Sequence, residues 1–385
     1  MKILIIHRSF ALVGGAERVI IDKANFLSCS GHDVMLVSYE QGDHCVPYQL
    51  NTSVQIRDLN CRFFTLSSFP LYKRLFLFFQ YKNRFENRLH NVILEYKPQT
   101  IVLASDWLFL LNNVLGAAHS IPVVAEFHNA YNFITKRIGN TGNRFMAGFT
   151  RLYYLHCLKN FKRCASLVVL TENDARHWRN HSENVVVIPN PVTFYPDKVD
   201  DVQKEEGRIL CVGRLNAQKR IDRLIKAFSM VADKYPEWHV DVYGEGELRD
   251  SLQMQINSCH LESRFILHGA TKDIYNEYKK SQMLVLCSEY EGWGLVLVEA
   301  MSCGIPCVSF NCPSGPEEII DDRITGLIAE NGNIKDLAMK IEWMIIHDKE
   351  RKIMGKEARR VAAKYRKSVI MKEWERVYTL YSGLN

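Results

Sequence analysis

The chain has no C-x2-C pair, no G-x-G-x-x-G and no uninterrupted apolar run of membrane-spanning length. Each absence removes a class of function. Cys303, Cys307 and Cys312 lie close together, but without ligand spacing they read as core and not as a zinc site. Without the glycine fingerprint, dinucleotide binding of the NAD type is not supported. A spanning helix needs roughly 18–20 apolar residues, and the nearest run, Ile101–Ala118, is broken by Asp106, Asn112 and Asn113. Met1-Lys2 leads directly into Ile3–Ile6, which suits a first strand and is too short for a signal-peptide core. The expected location is therefore the cytoplasm. The 11 cysteines are odd in number and sit in apolar segments such as Ile209-Leu210-Cys211-Val212, the pattern of reduced, buried thiols. There is no short repeat and no low-complexity tract. No nucleic-acid motif accompanies the net charge of +6, so no nucleic-acid partner is expected.

What is present is an ordinary globular composition, 47% hydrophobic and 24% charged, over 385 residues. That length exceeds what one core usually supports, so two domains are expected. Basic residues concentrate in two stretches. Arg62, Lys73, Arg74, Lys82, Arg84 and Arg88 are interleaved with Phe, Leu and Tyr over 62–90, and Lys136, Arg137, Arg144, Arg151, Lys159, Lys162 and Arg163 form the second. Two readings of 62–90 stand side by side. One is a segment that meets an anionic membrane surface. The other is an amphipathic helix with its apolar face in the core and its basic face in solvent.

Short β-branched runs alternate with longer amphipathic ones. Strands are expected at Lys2–His7, Asp33–Tyr39, Thr100–Ala104, Pro122–Glu126 and Ser166–Leu170, with helices at Gly15–Ser28 and Tyr72–Tyr96. Residues 188–208 carry three prolines, many charges and no period, so they read as a linker. Beyond it, strands are expected at Arg208–Val212, His239–Tyr243, Arg264–Leu267, Met283–Cys287 and Cys307–Phe310. Helices are expected at Arg220–Lys234, Glu247–Ser258, Thr271–Lys280, Leu295–Cys303 and Ile334–His347, and the last forty residues read as two helices meeting near Lys367. Strand–helix alternation implies right-handed crossovers and parallel sheets covered on both faces. The fold class is α/β, with doubly wound domains over 1–190 and 208–366, a linker over 191–207 and a separate final helix over 367–385. Ligands in such sheets bind at the carboxyl ends of strands, and two such domains facing each other make a cleft.

Six loops at strand ends carry the candidate chemistry. In HRSFALVGGAERV (7–19), Gly14 and Gly15 open a helix whose N–H groups favour an anion; a plain glycine N-cap explains them equally. In CVGRLNAQKRID (211–222), Arg214 offers a planar fork and Lys219 a point charge for phosphate oxygens, with Gly213 leaving room beside them. In VYGEGELR (242–249), Gly244 and Gly246 make a tight turn that would present backbone to a ligand. In EYEGWGLVLVEAM (289–301), Gly292, Trp293, Gly294 and Leu295 lead into an apolar helix whose first N–H groups suit a diphosphate. Glu291 precedes that helix and Glu299 lies within it. Because the helix is apolar nearly all round it should be buried, and a buried carboxylate needs a partner, such as the hydroxyls of a ribose. In CPSGPEEII (312–320), Ser314, Pro316 and Glu317 read as a capping box. In AEFHNAY (125–131), His128 ends a strand of the first domain, a position more often structural than catalytic.

Glu291-x7-Glu299, with Val212-Gly213-Arg214-Leu215 and Lys219 upstream and Gly14-Gly15 after the first strand, resembles glycosyltransferase family 4. The resemblance covers nearly the whole chain and is strongest over 208–330. It implies the GT-B fold, two Rossmann-like domains with the first binding acceptor and the second binding a nucleotide sugar, and a last helix crossing back to the first domain. It implies a retaining transferase in which Arg214 and Lys219 hold the donor diphosphate, Glu299 the ribose and Glu291 the donor sugar. Gly244, Gly246, His268 and Gly269 would line the nucleotide pocket with backbone, Gly14 and Gly15 would close over the phosphates and acceptor, and His128 would lie near the transferred sugar. The chain has no D-x-D, so no metal and no cofactor is expected. The texture resembles enzymes of bacterial capsule, O-antigen or exopolysaccharide assembly. That implies a UDP-sugar, with GDP as the alternative, a saccharide or lipid-linked acceptor, and a peripheral place on the inner face of the membrane. Phosphorylases and synthases of the same fold, and a non-catalytic nucleotide-sugar-binding subunit, are the competing readings.

Overall fold

The computed structural model describes residues 1–11, 14–104, 108–131, 152, 154–197 and 205–381. Within these the chain divides into two compact units, Met1–Pro189 with Ile370–Asn385, and Asn190–Val369. Lys136, Arg137, Arg144 and Arg151 of the second basic stretch lie outside the described residues, as does 198–204 of the expected linker.

The first unit is built on a seven-stranded parallel sheet. Its strands are β1 (Lys2–His7), β2 (Asp33–Ser38), β3 (Gln55–Asp58), β4 (Thr100–Ala104), β5 (Val123–Glu126), β6 (Ser166–Val169) and β7 (Val185–Val187). Their spatial order is β3-β2-β1-β4-β5-β6-β7. The order reverses between β1 and β4, the kind of switch point at whose carboxyl edge open parallel sheets bind ligands. The central strands are apolar along their whole length: Ile3 to Ile6 and Ile101 to Ala104 are all buried, as a sheet covered on both faces requires.

The second unit repeats the plan with six parallel strands. They are β8 (Arg208–Val212), β9 (His239–Tyr243), β10 (Phe265–Gly269), β11 (Met283–Leu286), β12 (Cys307–Phe310) and β13 (Gly326–Ala329), in the order β10-β9-β8-β11-β12-β13. Here the reversal falls between β8 and β11. The fold class read from the sequence, two doubly wound parallel-sheet units, is the one observed. β3, β7 and β13 were not expected. All three are edge strands of four residues or fewer, too short to show a period. The helices Leu111–Ala118 and Glu172–Trp178 were also not expected, each only about two turns long.

The segment forms the helix Leu71–Tyr96, and its second half bears out the amphipathic reading. Its second half packs Phe85, Leu89, Val92, Ile93 and Tyr96 into the core. Its first half packs Phe78 and Tyr81 against that core but leaves other aromatics outside: Tyr72 is 79% exposed, Phe76 71% and Phe79 53%, and Phe64 on the preceding turn is 55% exposed.

Candidate functional site

In the second unit, the two strands at the reversal point carry the two loops with the charged candidates. β8 runs into 213–220 and β11 into 287–294, and the loops are stitched together. Gln218 donates to the Tyr290 carbonyl at 3.1 Å, the Glu289 amide donates to the Gln218 carbonyl at 2.8 Å, and the Cys287 thiol donates to the Lys219 carbonyl. This scaffold brings Lys219 to Glu291: Nζ lies 2.7 Å from Oε1, with the carboxylate nearly buried. Ser288 Oγ donates to the same oxygen at 2.6 Å. Glu291 is therefore held from two sides before any ligand arrives. Arg214 stands on the same loop, exposed, and none of the described residues forms an ion pair with its guanidinium.

The glycines of this edge have a packing cause. The Gly213 amide donates to the Tyr243 carbonyl, the Leu215 amide to Glu245 and the Gly244 amide to Gly269, so three strand ends are laced by backbone alone. A Cβ on Gly244 would run into the Gly213 carbonyl, and one on Gly246 into the Leu215 carbonyl. A Cβ on Gly213 would press on the Lys219 stem at 3.2 Å. These glycines keep the loops close enough to fix Lys219, whatever else they meet.

The helix Leu295–Ser302 begins at Gly294, which adopts φ 92° with no side-chain cap. Gly294 is thus a left-handed position that a glycine fills without strain. Trp293 is buried, and its ring meets Tyr365 edge-on at 5.2 Å. The loop at Gly292 and Trp293 is pinned by Gly315, whose Cβ would collide with the Trp293 carbonyl. As the apolar sequence of the helix implied, Glu299 is buried. Its partner was not legible: Tyr278, wholly buried, donates its hydroxyl to Oε2 at 2.9 Å. Burial drives the Tyr278 phenol well above its ordinary value, and the Glu299 charge adds to that. Tyr278 and Ser288 are the two residues of this edge that sequence reasoning missed. Neither belongs to a motif, and each is identified only by what it touches.

Two expectations change. Ser314 is not the N-cap: Gly315 takes that position in the short helix Pro316–Ile319, with Pro316 in its first turn. Ser314 itself adopts φ 65°, which points the chain away from capping geometry. His268 offers more than backbone. Its Nε2 lies 2.7 Å from Asp241 and its ring stacks on Tyr243 at 4.7 Å, beside Gly269 at φ 89°. Asp241 is buried, which would raise its carboxyl, but His268 and Arg208 together hold it below the usual range. Glu205, His239 and Asp241 bring ligand atoms within 4.8 Å of one another. Arg208 already fills that cluster, 2.6 Å from Asp241 and 3.4 Å from Glu205, so a cation there would meet a guanidinium.

In the first unit, Gly14 is the N-cap of the helix Gly15–Cys29, without a side-chain cap, and its carbonyl accepts from Tyr48 at 3.0 Å. Glu17, in the first turn, folds back against Gly14. Burial would raise the Glu17 carboxyl, but His7, 3.5 Å away, and its own amide hold it below the ordinary value. An anion at this N-terminus would therefore face a carboxylate. His128 follows β5, mostly buried, with Nε2 3.4 Å from Glu126. Glu126 and Lys23 form an ion pair at 2.6 Å with both side chains fully buried.

Comparison with known proteins agrees with this architecture. Residues 13–194 match the model of Glycosyltransferase Family 4, and 197–361 match that of Glycosyl transferases group 1. The amylovoran biosynthesis glycosyltransferase AmsD of Erwinia amylovora is 25% identical over 97% of this chain and 98% of its own. A Campylobacter jejuni alpha-1,4-N-acetyl-D-galactosaminyltransferase acting on an undecaprenol-linked saccharide is 23% identical over 94% of each chain. In three dimensions, a mutant of S. aureus TarM in complex with Fondaparinux, alpha-GlcNAc-glycerol and UDP superposes with TM-score 0.75 over 98% of this chain and 99% of its own, at 17% identity. The two family models together take in nearly the whole chain, and the chain belongs to the glycosyltransferases, family 4 in its first half and group 1 in its second.

Proposed function

We propose that this protein is a retaining glycosyltransferase that moves a hexose or N-acetylhexosamine from a UDP-sugar to a saccharide acceptor, lipid-linked, in bacterial surface-polysaccharide assembly. The observation that carries the proposal is the Lys219–Glu291 pair at 2.7 Å, set beside exposed Arg214 where the sheet order reverses. Glycosyl transfer builds negative charge on the departing diphosphate and positive charge on the sugar ring. Arg214 and Lys219 are the cations placed for the first, together with the amides at the start of the helix Leu295–Ser302. Glu291, held by Lys219 and Ser288, is the carboxylate placed for the second. Glu299 takes the ribose hydroxyls, oriented by Tyr278. In this reading the bond from the anomeric carbon to the diphosphate breaks, and the bond to the acceptor oxygen forms on the same face. The departing phosphate oxygen takes the acceptor proton. No protein base and no metal ion enters the scheme, because Arg214 and Lys219 supply the charge a divalent cation would.

The UDP assignment is supported by the neighbour crystallised with UDP, and the lipid-linked acceptor by the relative that acts on an undecaprenol-linked saccharide. In the first unit, the carboxylate of Glu17 at the Gly14-Gly15 helix start suits an acceptor hydroxyl better than a phosphate. The exposed aromatics also bear on the acceptor. Tyr72, Phe76 and Phe79 recur at helical spacing on one stripe, flanked by Lys73, Lys82 and Arg84, and no Asp or Glu occurs between Asp58 and Glu86. Such a surface fits an anionic lipid interface, where a lipid-linked acceptor would be found. No helix among the described residues is long and apolar enough to cross a membrane.

The test is a thermal-shift screen of UDP-, GDP- and ADP-sugars, followed by transfer from a labelled donor and NMR of the product anomer. Stabilisation by a UDP-sugar and retention at the anomeric carbon are expected. Inversion removes the retaining mechanism, and indifference to all three nucleotides removes the donor assignment. Sedimentation with anionic vesicles at low salt, lost on replacing Tyr72, Phe76 and Phe79 by Ser, tests the lipid surface.

A further inference from the structure

We propose that Glu126 is a positioning residue for His128: it fixes the imidazole with its proton on Nε2 and leaves the Nδ1 lone pair for a ligand hydroxyl on the first unit. Glu126 ends β5 and is fully buried, an expensive place for a charge unless several donors meet it. Three do. Lys23 Nζ donates to Oε2 at 2.6 Å, the Tyr378 hydroxyl donates to Oε1, and His128 Nε2 approaches Oε2 at 3.4 Å. Burial acts to raise the Glu126 carboxyl, but Lys23 and His128 overcome it and hold it at about 2. An ionised carboxylate has no proton to give, so Nε2 must be the donor. In a neutral ring the other nitrogen is then an acceptor.

That nitrogen is where the observation becomes functional. His128 Nδ1 is buried and has no hydrogen-bond partner. An unpaired polar atom costs about 1–3 kcal/mol, and Trp374 Nε1, on the ring stacked against His128, is buried without a partner as well. Trp374 stacks on the His128 ring with centroids 6.4 Å apart, and the same indole lies over Lys23 Nζ at 3.3 Å. Trp374 and Tyr378 both come from the helix Lys367–Leu380, whose residues from Ile370 onward belong to this unit. Thr100 Oγ1 donates to the Tyr378 carbonyl, and His32 meets Glu375 at 2.9 Å, so that helix is fastened at several points. Among the described residues, the charged groups that interact with His128 are Glu126 at the end of β5 and Glu17 on the helix Gly15–Cys29, while Lys23 and the Tyr378 phenol meet the same Glu126. A carboxylate fixed by a distant helix, holding a histidine whose other nitrogen lacks a partner, is a prepared acceptor site.

The assignment of the hydroxyl to a sugar rests on the transferase reading; the tautomer does not. The experiment therefore begins with the intact protein, uniformly labelled with 15N-histidine, at pH 8. The His128 signals are identified by their loss in His128→Gln. A proton on Nε2 and a bare Nδ1 are expected, and a proton on Nδ1 overturns the proposal. Next, Glu126→Gln is combined with Lys23→Met, so that no buried ammonium is left without its counter-charge. Loss of the fixed tautomer, with kcat for transfer down tenfold or more and KM for the donor unchanged, is expected. An unchanged tautomer and unchanged kcat in that variant overturn it. If the unmodified protein transfers sugar from no donor but shows the Nε2 proton, the transferase reading fails and the positioning role of Glu126 stands.

Discussion

The two units share one plan, yet they treat charge at the carboxyl edge of the sheet in opposite ways. In the second unit the cations stay near solvent. Arg214 is exposed, and the Lys219 side chain keeps 16% of its surface. In the first unit Lys23 and Glu126 are sealed completely. An accessible cation can change partners when a ligand arrives, as an anion-binding edge requires. A sealed ion pair cannot, so its contribution is to geometry: it fixes the last residue of β5 and the histidine beyond it.

The contrast can be broken most strongly at the sealed pair. Lys23→Ala leaves Glu126 charged in a dry site, and breaking a buried pair of this kind costs about 3–5 kcal/mol. Urea unfolding should show the transition of the first unit moved to lower denaturant, with that of the second unit in place. Acid should act in the same direction. The Glu126 carboxyl lies at about 2 in the folded protein against an ordinary 4.5. Its contribution is present above 4.5 and is lost as pH falls toward 2. Fluorescence of Trp178 and Trp374 should therefore report loosening of the first unit in that window, and Lys23→Met with Glu126→Gln should remove that step.

At the second unit the largest effect is catalytic. Arg214→Ala should lower transfer by about 10²–10³, the loss seen when one donor to a developing charge is removed, while the circular dichroism spectrum stays the same. A smaller effect is expected at Tyr278→Phe. It removes a hydrogen bond to a buried carboxylate, about 1.5–3 kcal/mol, which should appear in thermal stability and as weaker nucleotide affinity by calorimetry. Gly244→Ala should cost about 1–3 kcal/mol through overpacking, because the new methyl meets the Gly213 carbonyl. Equal loss of stability in both units after Lys23→Ala would erase the comparison from which these effects are drawn.

Much of this was legible in advance. β1, β4, β8, β9 and β12 fall at the expected residues, because each is a short run rich in β-branched or apolar residues closed by a loop with glycine or charge. Of the edge strands, Gln55–Asp58 was lost for the converse reason, being exposed or half-exposed along its length, while Val185–Val187 and Gly326–Ala329 are apolar but too short to show a period. The charged loop residues Arg214, Lys219 and Glu291 were legible as well, since a charge or a glycine after a strand is visible one residue at a time. Their partners were not. Tyr278 and Ser288 look like ordinary helix and loop residues, and Lys23 like any lysine of an amphipathic helix.

By itself, then, the sequence determined the alternation of strands and helices, the two units and the loops that bear charge, because period and turn chemistry act over a few residues. Tertiary structure alone decided which charges are paired. Lys219 meets Glu291 across 72 residues, Lys23 meets Glu126 across 103, and Tyr378 reaches Glu126 across 252. The physical reason is that the energy of a charge depends on what has displaced water around it. That is set by which elements pack against a strand end, and not by the residues that precede it in the chain.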